Sequence, residues 1–359
     1  MTTKKKLSFL IAYSLVFLPI AGFLAGGMYN FLSYIVLFSV VPFMDYWIKD
    51  TGNPSPSEEA KLLQDRYFKL ITLFYVPIQA GLLIFSVYII THYDLLWYEW
   101  LGFTLSVGLV TGGVGINLSH ELMHKNTPLQ QFLSKALLSM VCYGHFIIEH
   151  VRGHHVRVAT PEDAASAQLG DSLYRYLPKT IIGSFKSALH LEQRRLQQKG
   201  YSTTSFHNQF WWIFTAPLLI AAGCFWYGGT AALAFFLLQS ALAIFLLETI
   251  NYVEHYGLQR KKLANGRYEK VSPMHSWNAN HWLSNMLLFH LQRHSDHHAH
   301  GARPYQILRH CEESPQLPSG YLGMIILAVI PPLWHAVMDK RALAFRETTF
   351  ATDKGQLTV

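Results

Sequence analysis

The feature that most constrains this chain is a set of apolar stretches about as long as a bilayer is thick. A transmembrane helix needs about 20 predominantly apolar residues. Six stretches meet that length, at residues 7–27, 30–47, 70–90, 95–118, 210–226 and 230–250. Only 14% of the residues are charged, whereas soluble domains carry roughly 25%. We therefore predict an all-α integral membrane protein with six transmembrane helices, which excludes a soluble enzyme and a nucleic-acid-binding module.

Lysine and arginine in the loops predict the orientation. The connections at residues 26–29, 91–94 and 227–229 contain neither. Both residue types are abundant elsewhere, at residues 4–6, 49–69, 125–199 and 260–309. Because cytoplasmic loops carry the excess of positive charge, the N-terminus and all the bulky loops are predicted to face the cytoplasm. The net charge of +7 is then interpreted as charge that faces anionic lipid.

We predict a single domain over residues 1–359, with a cytoplasmic histidine-rich cap formed by residues 119–209 and 251–359. Two further apolar stretches, residues 132–148 and 321–338, are shorter or are interrupted by prolines. We expect the first to be re-entrant or to lie in the membrane interface. Whether the second is re-entrant or interfacial is left open.

Histidines are concentrated in four short clusters, three of which have helical spacing. On a helix, residues three or four apart lie on one face, as chelation of a single metal requires. The clusters are His120 and His124; His150, His154 and His155; His255; and His294, His297 and His298. The adjacent pairs His154–His155 and His297–His298 are offset by about 100°. Such pairs suit two neighbouring ions better than one.

These nine histidines exceed what a four-coordinate zinc site can use. Two metals with four or five imidazoles each would absorb all nine, although the sequence leaves their division open. Six spans place every cluster on the same side of the membrane. A crossing by residues 132–148 would separate His120 and His124 from His150. Imidazole ligands without thiolates suit iron, copper or zinc.

Two smaller sets of residues are assigned to supporting roles. Glu121, Glu149, Glu254 and Asp296 adjoin the histidines and are predicted to accept the second ring N–H of a ligand, the alternative being surface carboxylates or helix caps. Helical spacing from His120 leads to Asn117 and Gly113, which predicts a substrate tunnel along that face. The alternative for Gly113 is helix packing, together with the nearby Gly108-x3-Gly112 pattern.

Taken together, these motifs resemble the integral-membrane non-haem di-iron alkane 1-monooxygenases (alkane ω-hydroxylases). H-x3-H, H-x3-H-H and H-x2-H-H are shared by the wider membrane fatty acid desaturase and hydroxylase superfamily. Residues 251–258, 272–280 and 291–299 are more specific and resemble the alkane hydroxylases. The resemblance extends over nearly the whole chain.

This resemblance implies two non-haem iron ions, located in a bacterial inner membrane. It implies the terminal hydroxylation of n-alkanes to primary alcohols with O₂. Electrons would come from NAD(P)H through rubredoxin reductase and rubredoxin. The implied iron ligands are His120, His124, His150, His154, His155, His255, His294, His297 and His298.

Rubredoxins of this family are acidic, and basic residues flank the ligand segments, so we predict a basic docking surface. Its residues are Arg152, Arg157, Arg194, Arg195, Arg260, Lys261 and Lys262. The alternative is lipid-facing or simply solvated charge. Alkane chain length, the identity of the rubredoxin and the oligomeric state are left open.

Three other functions are alternatives. One is another membrane di-iron hydroxylase or desaturase, with an aryl-methyl, terpene or fatty acyl substrate. A second is an intramembrane zinc protease built on His120-Glu121-x-x-His124, which leaves most of the other clustered histidines unexplained. A metal transporter is disfavoured because transporters carry ionisable residues near the bilayer midplane, and these spans have none there.

Overall fold

The computed structural model describes residues 3–50 and 52–356, and within them the regular structure is helical. The predicted all-α fold is confirmed. The helices are α1 (Lys4–Ser14), α2 (Phe17–Ala25), α3 (Gly27–Trp47), α4 (Pro56–Gln64), α5 (Arg66–His92), α6 (Trp97–Met123), α7 (Pro128–Ser139), α8 (146–157), α9 (Leu173–Gln198), α10 (Phe210–His255), α11 (Trp282–Leu287), α12 (His294–Ala299), α13 (Tyr321–Ala328) and α14 (Pro331–Gln356).

Four of these helices, α3, α5, α6 and α10, are long and apolar enough to cross a membrane. Two bent pairs raise the number to six if each pair is one span: α1–α2, bent by 45°, and α13–α14, bent by 120°. The first four predicted spans correspond to α1–α2, α3, α5 and α6. The chain is therefore a multi-pass membrane protein.

The last two predicted spans form one helix, α10, with a break between them. At 1.5 Å per residue, its 46 residues would reach about 69 Å if straight, more than twice the bilayer core. Gly228 and Gly229 have non-helical backbone angles, and Gly229 has a positive φ of 64°. Ile213 packs against Gly144, and Glu248 accepts a hydrogen bond from the neighbouring Tyr143. Both halves of α10 thus contact the same short segment, residues 143–144, so the chain reverses direction at Gly228 and Gly229.

The shorter apolar stretches do not form straight spans. In residues 132–148, α7 ends at Ser139, Cys142 takes a positive φ of 55°, and a second helical segment begins at Phe146. Ser134 on α7 bonds Ser119 on α6, with 2.8 Å between the hydroxyl oxygens. The stretch therefore folds back beside α6 instead of crossing, as predicted. In residues 321–338 the helix breaks ahead of Pro331.

Close packing joins α6 to α10. A Cβ built at Gly112 would lie 2.8 Å from the Cα of Ala243, and one at Gly108 would lie 3.1 Å from the carbonyl oxygen of Gln239. The two helices approach this closely because both α6 positions are glycine. The π turn Thr111–Ile116 lies in the same part of α6, and it widens the helix just before His120.

Candidate metal centre and substrate cavity

The nine predicted histidines converge from α6, α8, α10 and α12 into two sets. Within each set, one ring nitrogen from each histidine lies within 4.8 Å of those from the others. The first set is His120, His124, His150, His155 and His297, and the second set is His154, His255, His294 and His298. As predicted, each adjacent pair is divided between the two sets.

A π turn in α8 determines how its histidines are divided. The turn covers His150–His154, and a π helix aligns residues five apart. The Nε2 atoms of His150 and His155 accordingly lie 3.0 Å apart in the first set. His154 belongs to the second set. Helical spacing alone, which places His150 and His154 on one helix face, therefore does not decide how the α8 histidines divide between the sets.

In each set, the ring nitrogens that face one another lie close enough together to bind a cation. Nε2 of His155 lies 3.1 Å from Nε2 of His297, and Nε2 of His294 lies 3.3 Å from Nε2 of His255. Within the described part of the chain, the Nε2 atoms of His120, His124 and His154 are buried without a hydrogen-bond partner. Imidazole–metal bonds of about 2.0–2.1 Å are compatible with these separations. The residues thus fit one metal ion in each set.

Burial also favours the protonation state that binds metal. Desolvation and the neighbouring histidines lower the pKa well below its ordinary value for His150, His155, His297 and His298. These imidazoles are therefore neutral at pH 7. A neutral imidazole has a free lone pair for coordination.

The predicted supporting role is wrong for three of the four carboxylates. Within the described residues, none of the three bonds a ligand histidine. They pair with basic side chains instead: Glu121 with Lys125 at 2.8 Å, Glu149 with Arg157 at 2.8 Å, and Asp296 with Arg303. Asp296 also accepts a hydrogen bond from the backbone N–H of Arg309. Each of these carboxylates is adjacent in sequence to a ligand. Neighbouring helical residues point about 100° apart, so each carboxylate is directed away from that ligand.

Glu254 does contact a ligand, but on an unexpected nitrogen. Its Oε2 lies 3.1 Å from Nε2 of His294, which is the nitrogen that faces the second set. Its Oε1 accepts a hydrogen bond of 2.7 Å from the hydroxyl of Tyr321. Glu254 is therefore at the edge of the second set and not behind a ligand.

Asp163, which the sequence analysis missed, occupies the supporting position. Its Oδ2 lies 2.8 Å from Nδ1 of His154, and it also accepts a hydrogen bond from the Ser166 hydroxyl. Burial opposes ionisation of Asp163, but His154 and Ser166 hold the pKa of its carboxyl below the ordinary value. Asp163 lies in the loop between α8 and α9, so no helical spacing relates it to His154.

We expect Asp163→Asn to weaken metal binding in the second set by about 10–100-fold, the usual effect of losing such a partner. The asparagine can no longer offer a charged acceptor to the ring N–H of His154. Metal release to a chelator measures the effect. Glu149→Gln is the matched control, because Glu149 is also buried but pairs with Arg157. Equal release rates for Asp163→Asn and wild type would remove Asp163 from this role.

An apolar cavity adjoins both sets. His120, His150 and His294 line it at one end, and its walls are mostly leucine, isoleucine and phenylalanine. Gly113 and Asn117 both line it, as the tunnel prediction requires. A Cβ built at Gly113 would meet no atom of the described neighbouring residues within 4 Å, unlike one at the tightly packed Gly112. The packing alternative therefore describes Gly112 and not Gly113.

Comparison with known proteins identifies the family of this chain. The family profile described as fatty acid desaturase matches residues 95–328. The chain is 46% identical to alkane 1-monooxygenase 2 of Pseudomonas aeruginosa, over 90% of this chain and 85% of that protein. It is 44% identical to alkane 1-monooxygenase 2 of Alcanivorax borkumensis, over 88% and 83%. It is 30% identical to the xylene/toluene monooxygenase hydroxylase component XylM of Pseudomonas putida, over 70% and 66%. The chain therefore belongs to the fatty acid desaturase family and, within it, to the alkane 1-monooxygenases.

Proposed function

We propose that this protein hydroxylates the terminal carbon of n-alkanes to primary alcohols with O₂. The observation that carries the proposal is the apolar cavity that ends at the two histidine sets. An n-alkane offers no acidic, basic or electrophilic group, so a redox cofactor must supply the reactivity and the protein the positioning. An apolar cavity that lies among membrane helices suits such a substrate.

Two non-haem iron ions, one in each histidine set, would supply the oxidising power by activating O₂. The side chains of the chain do the remaining work. The apolar walls bind the alkane and exclude water, while the open face at Gly113 leaves room for an extended chain. The terminal methyl then reaches the end of the cavity that His120, His150 and His294 line.

The rival functions fit the geometry less well. A zinc protease would use Glu121 as its general base, but Glu121 forms a salt bridge with Lys125. Such a protease would also leave most of the clustered histidines without a role. The 30% identity to XylM favours an aryl-methyl substrate less than the 46% identity to an alkane 1-monooxygenase favours an alkane.

Product identification tests the proposal. Membranes that contain the chain are supplied with rubredoxin, its reductase, NAD(P)H and isotopically labelled O₂. They receive n-octane, n-hexadecane, p-xylene or a fatty acyl substrate in separate reactions. We expect labelled primary alcohols from the alkanes. Alkenes or unsaturated acyl chains as the main products would indicate a desaturase, and benzylic alcohols alone would indicate an aryl-methyl hydroxylase.

Rubredoxin is the proposed electron donor, on the cytoplasmic face of a bacterial inner membrane. His124 and His155 are half-buried, whereas the other seven histidines are buried. The first set therefore comes closest to the surface. Val156, 63% exposed, adjoins His155. Residues 260–270 form a basic hairpin. Arg260 holds this hairpin beside Val156, because it donates hydrogen bonds to the carbonyl oxygens of Val156 and Glu269.

The structure changes which basic residues suit docking. Four of the seven predicted residues have internal partners: Arg157 with Glu149, Arg152 and Arg195 with Glu192, and Arg260 with backbone carbonyls. Lys262 is exposed, and so are Arg267 and Lys270 on the same hairpin. We define the docking surface as Val156 with Lys262, Arg267 and Lys270.

Reversing charge on this surface should weaken association with an acidic rubredoxin. We expect Lys262→Glu with Lys270→Glu to raise the half-saturating rubredoxin concentration several-fold at low salt. High salt should remove most of the difference, because it screens exposed charges. Steady-state kinetics against rubredoxin concentration measures the change, and unchanged iron content is the control. An unaltered half-saturating concentration at low salt would exclude this docking surface.

A further inference from the structure

We propose that Glu254 is a carboxylate donor to the metal of the second set, and that Tyr321 positions it. This inference rests on the proposed metal sites. Glu254 directly precedes the ligand His255 at the end of α10 and is fully buried. It also lines the cavity, at the end where His294 does. It therefore lies where substrate and metal would meet.

The contact between Glu254 and His294 is made on the metal-facing side. Oε2 of Glu254 lies 3.1 Å from Nε2 of His294, and this same nitrogen lies 3.3 Å from Nε2 of His255. A metal-bound Nε2 carries no proton, so the nitrogen and the carboxylate oxygen would then both be acceptors. A shared cation turns this repulsion between the two acceptors into attraction.

Ligand number also distinguishes the two sets. The first contains five imidazoles and the second contains four. With Glu254, the second set also reaches five donors. The carboxylate comes from the side of the cavity and not from within the group of four, so it would complete the open side of that site.

Charge is distributed unequally around the two sets. Neutral imidazoles leave the charge of a buried metal ion uncompensated, and buried charges need partners. Glu121, Glu149 and Asp296 are each paired with lysine or arginine. Among the described contacts, Asp163 and Glu254 have no such partner and bond His154 and His294 instead. Asp163 and Glu254 thus place negative charge at the second set.

Tyr321 fixes which carboxylate oxygen faces the metal. Its hydroxyl, on α13, donates a 2.7 Å hydrogen bond to Oε1 of Glu254. Oε2 is thereby left directed at His294. Both residues are buried, so water does not replace this hydrogen bond. Loss of the hydroxyl should allow the carboxylate to rotate without removing it.

Mössbauer spectra and the iron content of the purified full chain test the proposal. The His298→Ala variant, which lacks a second-set ligand, identifies the signal of that set. In Glu254→Gln we expect that signal to change its quadrupole splitting and its iron to be lost to a chelator at least about tenfold faster. The first-set signal should be unchanged. In Tyr321→Phe the second signal should shift while its iron is retained.

Glu121→Gln is the matched control, because Glu121 is also adjacent to a ligand in sequence but, among the described residues, forms its ion pair with Lys125 and no hydrogen bond with a ligand histidine. We expect it to leave both signals unchanged. Wild-type spectra and iron retention in Glu254→Gln would overturn the proposal, whatever its activity. If Glu254→Gln does not fold, an unshifted second signal in Tyr321→Phe would overturn it. Failure of the wild type to form alkanols would contradict the proposed function and leave these metal measurements valid.

Discussion

We expect His255→Ala to abolish alkane hydroxylation and to remove the iron of the second set while the first set keeps its own. His255 stands alone in its sequence motif. The structure nevertheless places its ring 4.8 Å from those of His154 and His298, measured between ring centroids. Removing it leaves three imidazoles in that set. The loss of activity should exceed the roughly 10–100-fold effect of removing a supporting residue. Iron content and alkanol formation are measured on the same preparation.

His275→Ala provides a matched control. His275 is also buried and lies near His255, but its ring contacts Ser272 and Glu269, outside both sets. We expect this variant to keep both irons. His150→Ala should remove the iron of the first set instead. Wild-type activity and full iron content in His255→Ala would remove His255 from the second set.

The second large effect is expected at Gly113, where leucine or phenylalanine should shorten the longest alkane that the enzyme accepts. Gly113 lies seven residues before His120, about 10 Å along the helix. A side chain there would enter open cavity space. A change of one methylene in an apolar pocket alters rates by about 10–200-fold. Turnover of n-hexadecane should therefore fall by at least about tenfold, while n-octane is hydroxylated at nearly the wild-type rate.

Gly112→Leu is the control that separates cavity filling from misfolding. A Cβ at Gly112 would already lie 2.8 Å from the Cα of Ala243, so this variant should lose folded protein and activity on every alkane. Product analysis across a series of alkane lengths compares the two positions. A uniform loss of turnover in Gly113→Leu, or loss of its iron, would show that Gly113 is a packing residue.

Features that depend on residue type and spacing could be predicted from the sequence. Apolar length locates the spans, because the bilayer requires it. The adjacent pair His297–His298 divides between the sets because neighbouring helical residues point about 100° apart. Gly113 was found by counting back from His120. Each of these inferences needs only local helix geometry.

Features that depend on irregular backbone or distant contacts could not be predicted. The π turn at His150–His154 has no signature in the spacing, so the division of His150, His154 and His155 between the sets could not be predicted. Glu121 was assigned to a ligand because it is adjacent in sequence, although its partner is Lys125. Asp163 was missed because tertiary folding alone brings its loop to His154.

The proposed pair of iron sites is tested most directly by the metal content of the purified wild-type chain after expression in iron-replete cells. Metal analysis gives the number and identity of the ions per chain, and the Mössbauer spectrum shows whether they are distinct. We predict two irons per chain in two different environments, one for the set of five histidines and one for the set of four. A single metal per chain, or zinc in place of iron, would contradict this prediction.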